Sequence, residues 1–138
     1  MDEQRYVAHG VIETGGRFLL IQRGSGRYLG DWWDVPGGTV ESGETPGEAA
    51  VRECQEEVGI DCRLGEELSR FMNLDTGGRD ILFHTVTYRL QPVSTLVVVR
   101  LSREHQDYRW VTWDEAAEFP VVWHVAKTLT GLWNVSYK

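Results

Sequence analysis

Apolar residues in this chain fall first into short runs typical of β-strands. Residues 6–12 and Arg17–Arg23 are two such runs, separated by the turn formers Thr14, Gly15 and Gly16. Two β-type runs joined by a short glycine turn predict an antiparallel hairpin. Residues 24–31 then form a glycine-punctuated loop, which we expect to be irregular.

The rest of the chain mixes further strands with helical segments. A short helical turn capped by Asp114 is predicted over residues 114–118, and a terminal helix over residues 121–133. The further predicted strands are residues 32–35, 39–41, Cys62–Leu74, 81–90, 96–101 and 109–112. Hairpins with inserted and appended helices favour an α/β or α+β domain with a mixed sheet. The length of 138 residues fits one domain spanning residues 1–138.

The strongest helix signal lies at Pro46–Val58. Thr45 is a good N-cap, Pro46 fits the first helical position, and Glu48 completes a capping box with Thr45. Gly59 fits the position after the last helical residue, where a left-handed backbone ends many helices. We therefore predict a helix with well-defined ends.

This helix has a packing side and an acidic side. At 100° per residue, the predicted packing side comprises Ala50, Val51, Cys54 and Val58. Glu53, Glu56 and Glu57 cluster beside it, where like charges at i,i+4 cost roughly 0.2–0.5 kcal/mol per pair. The helix dipole also disfavours anions in this half of the helix. Most such faces are simply solvated; the alternative is that a divalent cation relieves the repulsion.

The charge of the whole chain narrows the possible partners. The net charge is −7, which argues against binding to polymeric nucleic acid or to a membrane surface. An acidic protein that acts on an anionic substrate needs a mediating cation. The first residues lack the apolar core of a signal peptide, and apolar runs stay short of the roughly 20 residues of a membrane helix. A cytoplasmic location is therefore expected.

The segment from Gly38 to Ile60 carries a long motif. After Gly38 come five residues, then Glu44, seven residues, and the run Arg52-Glu53-Cys54-Gln55-Glu56-Glu57-Val58-Gly59-Ile60. This resembles the Nudix box of MutT-type hydrolases, G-x5-E-x7-R-E-U-x-E-E-x-G-U with U apolar. Every fixed position is met, although Cys54 is an unusual apolar residue. The order of strands also resembles that family. The resemblance implies an α/β/α sandwich and metal-dependent hydrolysis of a diphosphate bond.

The resemblance also implies roles for single residues. Glu53, Glu56 and Glu57 would bind Mg²⁺, with Mn²⁺ as an alternative, and one of them would act as general base. Arg52 and Glu44 would orient these carboxylates, and the carbonyl of Gly37 or Gly38 would be a further ligand. Glu104 is the first candidate for an additional acidic ligand, ahead of Asp107 and Asp80, although an exposed loop glutamate is equally consistent.

Residues that contact the substrate are less constrained by the sequence. Arg23 and Arg27 are candidates for phosphate or base contacts, but solvated arginines are common. The aromatic candidates for stacking on a base are Trp32, Trp33, Phe71, Phe83 and Trp123, each of which also fits a core position. The four histidines lack metal-ligand spacing and are expected to be structural or exposed. Because the chain also has only two cysteines, which form no CxxC pair, a zinc site is not expected.

The sequence lacks the features typical of several subfamilies of these hydrolases, which leaves the short MutT-like enzymes as the expected group. Hydrolases of ADP-ribose usually carry proline at the position of Thr76, dinucleoside polyphosphate hydrolases often have a nearby tyrosine, and the coenzyme A type differs in spacing before Pro36. The expected substrate is a nucleoside triphosphate, including oxidised or otherwise non-standard ones, cleaved to a monophosphate and diphosphate. The alternatives are a non-catalytic nucleotide-binding module and an isomerase on the same fold. Both a monomer and a homodimer are consistent with the sequence.

Overall fold

A computed structural model describes residues 3–75 and 77–133 of the chain. The strands are β1 (Glu3–Thr14), β2 (Arg17–Arg23), β3 (Trp33–Asp34), β4 (Gly37–Thr39), β5 (Cys62–Leu74), β6 (Ile81–Pro92) and β7 (His105–Val111). The helices are α1 (Pro46–Val58), α2 (Trp113–Ala116) and α3 (Trp123–Trp133). Within the described ranges, no helix combines the length and apolar character needed to cross a membrane.

Strand β1 is the centre of a mixed seven-stranded sheet. The main path of the sheet is β3-β2-β1-β6-β5, with β4 paired to β1 and β7 paired to β2. Strands β1 and β6 run parallel, whereas β1 pairs antiparallel with β2 and β4. The predicted hairpin of the first two strands and the mixed sheet are therefore confirmed.

The sheet is covered by helices on both faces. Along β2, Phe18 and Leu20 pack with residues of α2 and α3, whereas Leu19 and Ile21 pack with residues of α1. Successive side chains of a strand point to opposite faces, so these two groups mark two separate cores. The predicted arrangement of a sheet between helical layers is confirmed.

Helix α1 has the predicted ends. The side chain of Thr45 accepts from the backbone N–H of Glu48, and Glu48 accepts from the N–H of Thr45 in return. Gly59 ends the helix in the left-handed region at φ 73°. Cys54 and Val58 are fully buried, as predicted, and Cys54 lies against the free thiol of Cys62 at 3.5 Å between sulfurs.

The prediction of a strand at residues 96–101 is wrong. The backbone N–H of Arg100 donates to the carbonyl of Val58, and that of Ser102 donates to the carbonyl of Glu57. These donors therefore satisfy the last carbonyls of α1 instead of a neighbouring strand. The apolar residues that suggested a strand, Val97, Val99 and Leu101, pack on the core beside α1.

Other boundaries also differ from the sequence prediction. Strand β4 begins at Gly37, because Gly37 and Gly38 pair with β1 across from His9 and Ala8. Helix α2 is capped by Thr112, whose side chain accepts from the N–H of Glu115, and not by Asp114. Strand β7 begins at residue 105 and not 109, and α3 at residue 123 and not 121. Thr76, Gly77 and Gly78 indicate a turn between β5 and β6, and Thr76 lies outside the described residues.

The cap of α1 gives a first test. Thr45→Ala removes one acceptor for the orphan N–H groups at the helix start, so we expect a loss of about 1 kcal/mol in the free energy of unfolding, measured by urea denaturation. Thr95→Ala, at an exposed bend, is the matched control and should leave the unfolding free energy unchanged. Equal stability of the two variants would contradict the importance of this cap.

Candidate active site

The acidic face of α1 lines a cavity of about 650 Å³. Four glutamates and two arginines surround it: Glu41, Glu53, Glu57, Glu104, Arg23 and Arg27. The backbone of Gly37 and Gly38 forms part of the wall, together with His9 and His105. Residues far apart in the chain thus present an excess of negative charge to one space.

Glu57 is the most enclosed carboxylate of this cavity. Its residue exposure is 8%, and its Oε1 accepts from the backbone N–H of Gly37 at 3.0 Å. Burial raises the pKa of Glu57 to about 8, and the nearby charges of Glu53 and Glu104 act in the same direction. In the absence of a cation, this carboxyl therefore holds a proton at pH 7, and a bound cation must displace it.

Glu53 fits against a glycine. A Cβ atom at Gly38 would overlap the carboxylate of Glu53, so this close approach needs a residue without a side chain. Burial also raises the pKa of Glu53, against the opposing effect of Arg52. The glycines of the Pro-Gly-Gly segment thus let α1 bring its carboxylates next to the backbone of β4.

Arg52 connects the acids of α1 and the preceding loop. Its guanidinium donates to both carboxylate oxygens of Glu44, at 2.7 and 3.0 Å, and to the Oε2 of Glu53 at 3.1 Å. It also donates to the carbonyl of Thr39 at 3.1 Å. The hydrogen bond from Arg52 lowers the pKa of Glu44, and the pKa of Arg52 is raised in return. Arg52 and Glu44 thus form an ion pair beside Glu53, and their orienting roles stay a prediction.

Glu56 is placed differently from Glu53 and Glu57. Its carboxylate accepts from Arg52 at 3.1 Å, and its side chain is 55% exposed. Glu56 therefore lies at the solvent side of the arginine and not in the wall of the cavity. Its predicted function as a metal ligand stays a prediction.

The loop before β7 brings Glu104 to the cavity. The carbonyl of Glu104 accepts from the N–H of Gly24 at 2.9 Å, which joins this loop to the one after β2. The N–H of Ser102 fastens the same loop to the end of α1. Of the three acidic candidates outside the motif, Glu104 lies beside the carboxylates of α1, whereas Asp107 pairs with Arg109 on β7.

A second cavity of about 520 Å³ adjoins the first. The two share Val7, His9, Arg23 and Tyr28 in their walls. Phe83 and Trp123 line the second cavity, and Trp123 is 45% exposed, with its ring 6.0 Å from that of Phe71. Polar groups that sequence reasoning missed lie beside these rings: Asn73, Asp75, Arg79 and Thr85. Aromatic faces next to hydrogen-bonding groups suit a flat, polar ring.

Trp33 does not line either cavity among the described residues. It is 7% exposed and lies in the core on the side of α3, with its ring 5.0 Å from that of Phe119. The structure thus corrects its sequence assignment as a substrate contact. Trp33 lies on β3, and the N–H of Val122 donates to its carbonyl, so it helps to seat α3 on the sheet.

Arg23 and Arg27 both reach the first cavity. The Nε of Arg23 donates to the carbonyl of Tyr28 at 2.9 Å, and its Nη1 donates to the Oδ2 of Asp34 at 3.3 Å. Arg23 therefore sits at the junction of the two cavities in a fixed position. Arg27 is exposed and lines the first, acidic cavity but not the second.

A buried cluster of His9, Asp34 and His124 lies behind the two cavities. One ligand atom from each lies within 4.8 Å of the others, and the rings of His9 and His124 are 4.2 Å apart. Burial lowers the pKa of His9 to about 3, while the pKa of Asp34 stays low because of the two histidines and the N–H of Val35. The sequence predicted histidines that are structural or exposed, and His9 and His124 are both buried. Their positions in the chain show no metal-ligand spacing, and the fold brings them together. The sequence feature that could have pointed to this cluster is Asp34, a charged residue within the apolar segment around β3.

Comparison with known proteins agrees with this fold and site. The model of the NUDIX domain family matches residues 3–132. The asymmetrical bis(5'-nucleosyl)-tetraphosphatase of Sus scrofa is 40% identical over 112 residues, covering 78% of this chain and 72% of that protein. The CTP pyrophosphohydrolase of Escherichia coli is 31% identical over 115 residues, covering 83% of this chain and 81% of that protein.

Solved structures give the same result. The solution structure of the E. coli ORF135 protein has a TM-score of 0.75 and 28% identity, covering 92% of this chain and 86% of that one. Together these similarities define a small α/β hydrolase. The chain belongs to the NUDIX family, as the motif predicted. Enzymes of this family generally depend on a divalent metal.

Burial of Glu57 makes stability depend on pH when no metal is bound. Glu57 is protonated in the folded protein up to about pH 8 but ionises at its usual pKa of 4.5 in the unfolded chain, so stability falls as pH rises between these values. The lowered pKa of His9 acts oppositely, but only below its usual 6.5. We therefore expect the unfolding free energy in EDTA to fall between pH 6.5 and 8, and Glu57→Gln to remove this fall.

Urea denaturation at several pH values measures the effect. Glu66→Gln is a matched control, since Glu66 is exposed and pairs with Arg89 away from the cavity. Parallel pH profiles for the wild type and Glu57→Gln would contradict the protonated state of Glu57.

Proposed function

We propose that this protein is a Mg²⁺-dependent pyrophosphohydrolase that cleaves a nucleoside triphosphate to a nucleoside monophosphate and diphosphate. The supporting observation is that Glu53, Glu57 and Glu104 converge on a cavity which adjoins an aromatic-lined one. One cavity suits a metal–polyphosphate group and the other suits a base. Oxidised or otherwise non-standard nucleotides are included in the proposed substrate class.

The donor set fits Mg²⁺ well. Carboxylate and carbonyl oxygens are hard ligands, which Mg²⁺ and Mn²⁺ prefer. We assign Glu53, Glu57 and the carbonyl of Gly37 or Gly38 as ligands, with Glu56 and Glu104 as further acidic groups. A bound cation neutralises phosphate oxygens and lowers the pKa of a coordinated water. It also offsets the excess of acidic side chains around the cavity.

The protein groups then have separable functions. Arg52 and Glu44 hold Glu53 in one orientation through the bidentate ion pair. The oxygen of water attacks a phosphorus, the bond to the bridging oxygen breaks, and a carboxylate of α1 accepts the proton of the water. Glu53 and Glu57 are the two candidates for this general base, since both are partly or fully withdrawn from solvent.

The remaining contacts orient the substrate. Arg23 and Arg27 face the acidic cavity and would bind the phosphates that the metal leaves uncovered. Phe83 and Trp123 would contact the base in the adjoining cavity. Arg23 lies where the two cavities meet, which is where the polyphosphate must join the nucleoside.

A second candidate substrate is a dinucleoside tetraphosphate. The relative from Sus scrofa is named as an asymmetrical tetraphosphatase, and its 40% identity favours this possibility. The one sequence feature against it is the missing tyrosine near residues 76–78. Asymmetrical cleavage gives a nucleoside triphosphate and a monophosphate without free diphosphate, so the products distinguish the two reactions.

A substrate panel tests the proposal. The protein is incubated with Mg²⁺ and nucleoside triphosphates, oxidised nucleoside triphosphates or a dinucleoside tetraphosphate, and the products are separated by ion-exchange chromatography. We expect a monophosphate and diphosphate from the triphosphates. A rise in melting temperature with every nucleotide but no turnover would instead support a binding module and would overturn the proposed reaction.

The carboxylates give a second prediction. Glu53→Gln and Glu57→Gln should each lower kcat about 10²-fold or more, because a neutral amide is a poor metal ligand and a poor base. Glu66→Gln is the matched control and should keep the wild-type rate. Near-normal rates in both Glu53→Gln and Glu57→Gln, with normal folding by circular dichroism, would show that neither carboxylate is needed for the reaction.

The aromatic residues of the second cavity give a third prediction. Trp123→Ala should raise KM for the nucleotide roughly 5- to 100-fold, the range expected for loss of one stacking partner, with a smaller effect on kcat. Tyr108→Ala removes an exposed aromatic ring on β7 and is the matched control. An unchanged KM for Trp123→Ala would place the base elsewhere.

A further inference from the structure

Three residues from three elements meet behind the nucleotide cavities. His9 is on β1, Asp34 on β3 and His124 on α3, and each is more than nine-tenths buried. His9 lines both cavities, whereas Asp34 and His124 line the second one. The cluster is therefore within reach of a small ion from solvent, although its side chains are almost fully enclosed.

The hydrogen bonding of these histidines is incomplete. The Nδ1 atom of His9 is buried and has no hydrogen-bond partner among the described residues. The Nδ1 of His124 is also unpaired there, but it is the Nε2 of His124 that faces Asp34, so the unpaired atom that bears on the cluster is that of His9. A buried polar atom without a partner costs free energy unless a ligand or water satisfies it. A neutral imidazole has one ring nitrogen with a free lone pair, which is the form of histidine that binds metal ions.

The spacing also suits a metal ion. The Nε2 of His124 lies 3.2 Å from the Oδ1 of Asp34. A tetrahedral ion with bonds of about 2.0–2.1 Å holds its ligands roughly 3.3 Å apart, so this pair is already at ligand spacing. All three ligand atoms lie within 4.8 Å of one another, so the His9 ring is the third donor near this pair.

The neighbouring arginine leaves the required oxygen available. Arg23 donates to the Oδ2 of Asp34, whereas His124 and the N–H of Val35 contact Oδ1. An ion between the two side chains would replace the proton that His124 shares with Asp34, and Arg23 could remain on Oδ2. Two of the three donors are imidazole nitrogens, which favour a transition-metal ion over Mg²⁺.

We propose that His9, Asp34 and His124 form a second metal site, selective for Zn²⁺ or a similar transition-metal ion and separate from the carboxylate site on α1. Two imidazoles and one carboxylate match the ligand preference of Zn²⁺, whereas the acidic cavity matches that of Mg²⁺. The ion links β1, β3 and α3, so it fastens the terminal helix to the sheet and stabilises the wall of the aromatic cavity.

Metal binding by the full chain tests this inference. Isothermal titration with Zn²⁺ in the presence of excess Mg²⁺ should give one bound Zn²⁺, together with a higher melting temperature. Co²⁺ used as the probe should give the visible absorption of a nitrogen- and oxygen-ligated ion of low coordination number. A thiolate charge-transfer band would place the ion at Cys54 and Cys62 and overturn the proposal.

Variants locate the ion. His9→Gln and His124→Gln should each weaken Zn²⁺ binding by at least about tenfold. His84→Gln is the matched control, because His84 is an equally buried histidine that bonds to Gln4 outside the cluster. It should bind Zn²⁺ like the wild type. Retention of Zn²⁺ by both cluster variants, or no uptake by the wild type, would overturn the proposal.

A further variant covers the case in which the histidine variants do not fold. Glu53→Gln/Glu57→Gln removes the main carboxylates of the acidic cavity and should still bind one Zn²⁺. Loss of Zn²⁺ from this variant, with its fold retained, would assign the ion to the acidic cavity and refute a second site. The outcome does not depend on which nucleotide the enzyme hydrolyses, so it is separable from the proposed function.

Discussion

Repulsion among the carboxylates of α1 is the constraint on which the site depends. The guanidinium of Arg52 reduces this repulsion, because it donates hydrogen bonds to Glu44, Glu53 and Glu56. Among the residues that the structure describes, the side chain of Glu57 has the N–H of Gly37 as its hydrogen-bond partner, and burial raises its pKa to about 8. The helix is therefore stable as a scaffold while its innermost acid remains available to a divalent ion.

The scaffold around this helix is built to hold it against the sheet. The capping box at Thr45 fixes where α1 starts, and Gly59 fixes where it ends. Strand β4 joins β1 through a pair of glycines, which lets the helix approach the backbone closely. The acidic side and the packing side of α1 thus lie next to each other around the helix axis: Cys54 and Val58 face the core, whereas Glu53 faces the cavity.

Local signals explain what could be predicted from the sequence. The ends of α1 and the spacing of the motif depend on neighbouring residues, so they could be recognised without a structure. The prediction of a strand at residues 96–101 is wrong because a run of β-branched and other apolar residues also fits a strand, and the contact with α1 decides its conformation. His9 and His124 meet through the β1–α3 packing, and Trp33 is buried by α3, so neither result could be derived from spacing.

The anchoring of the connection between β6 and β7 has a consequence for how the chain can change in length. From Arg100 onward its backbone is tied to the end of α1 and then to the loop at Gly24, so an inserted residue there would shift Glu104 out of register with the carboxylates. The exposed bend around Ser94 and Thr95 has no such ties to α1 among the described residues. Insertions and deletions in natural variants should therefore concentrate at that bend, leaving the stretch that follows at constant length.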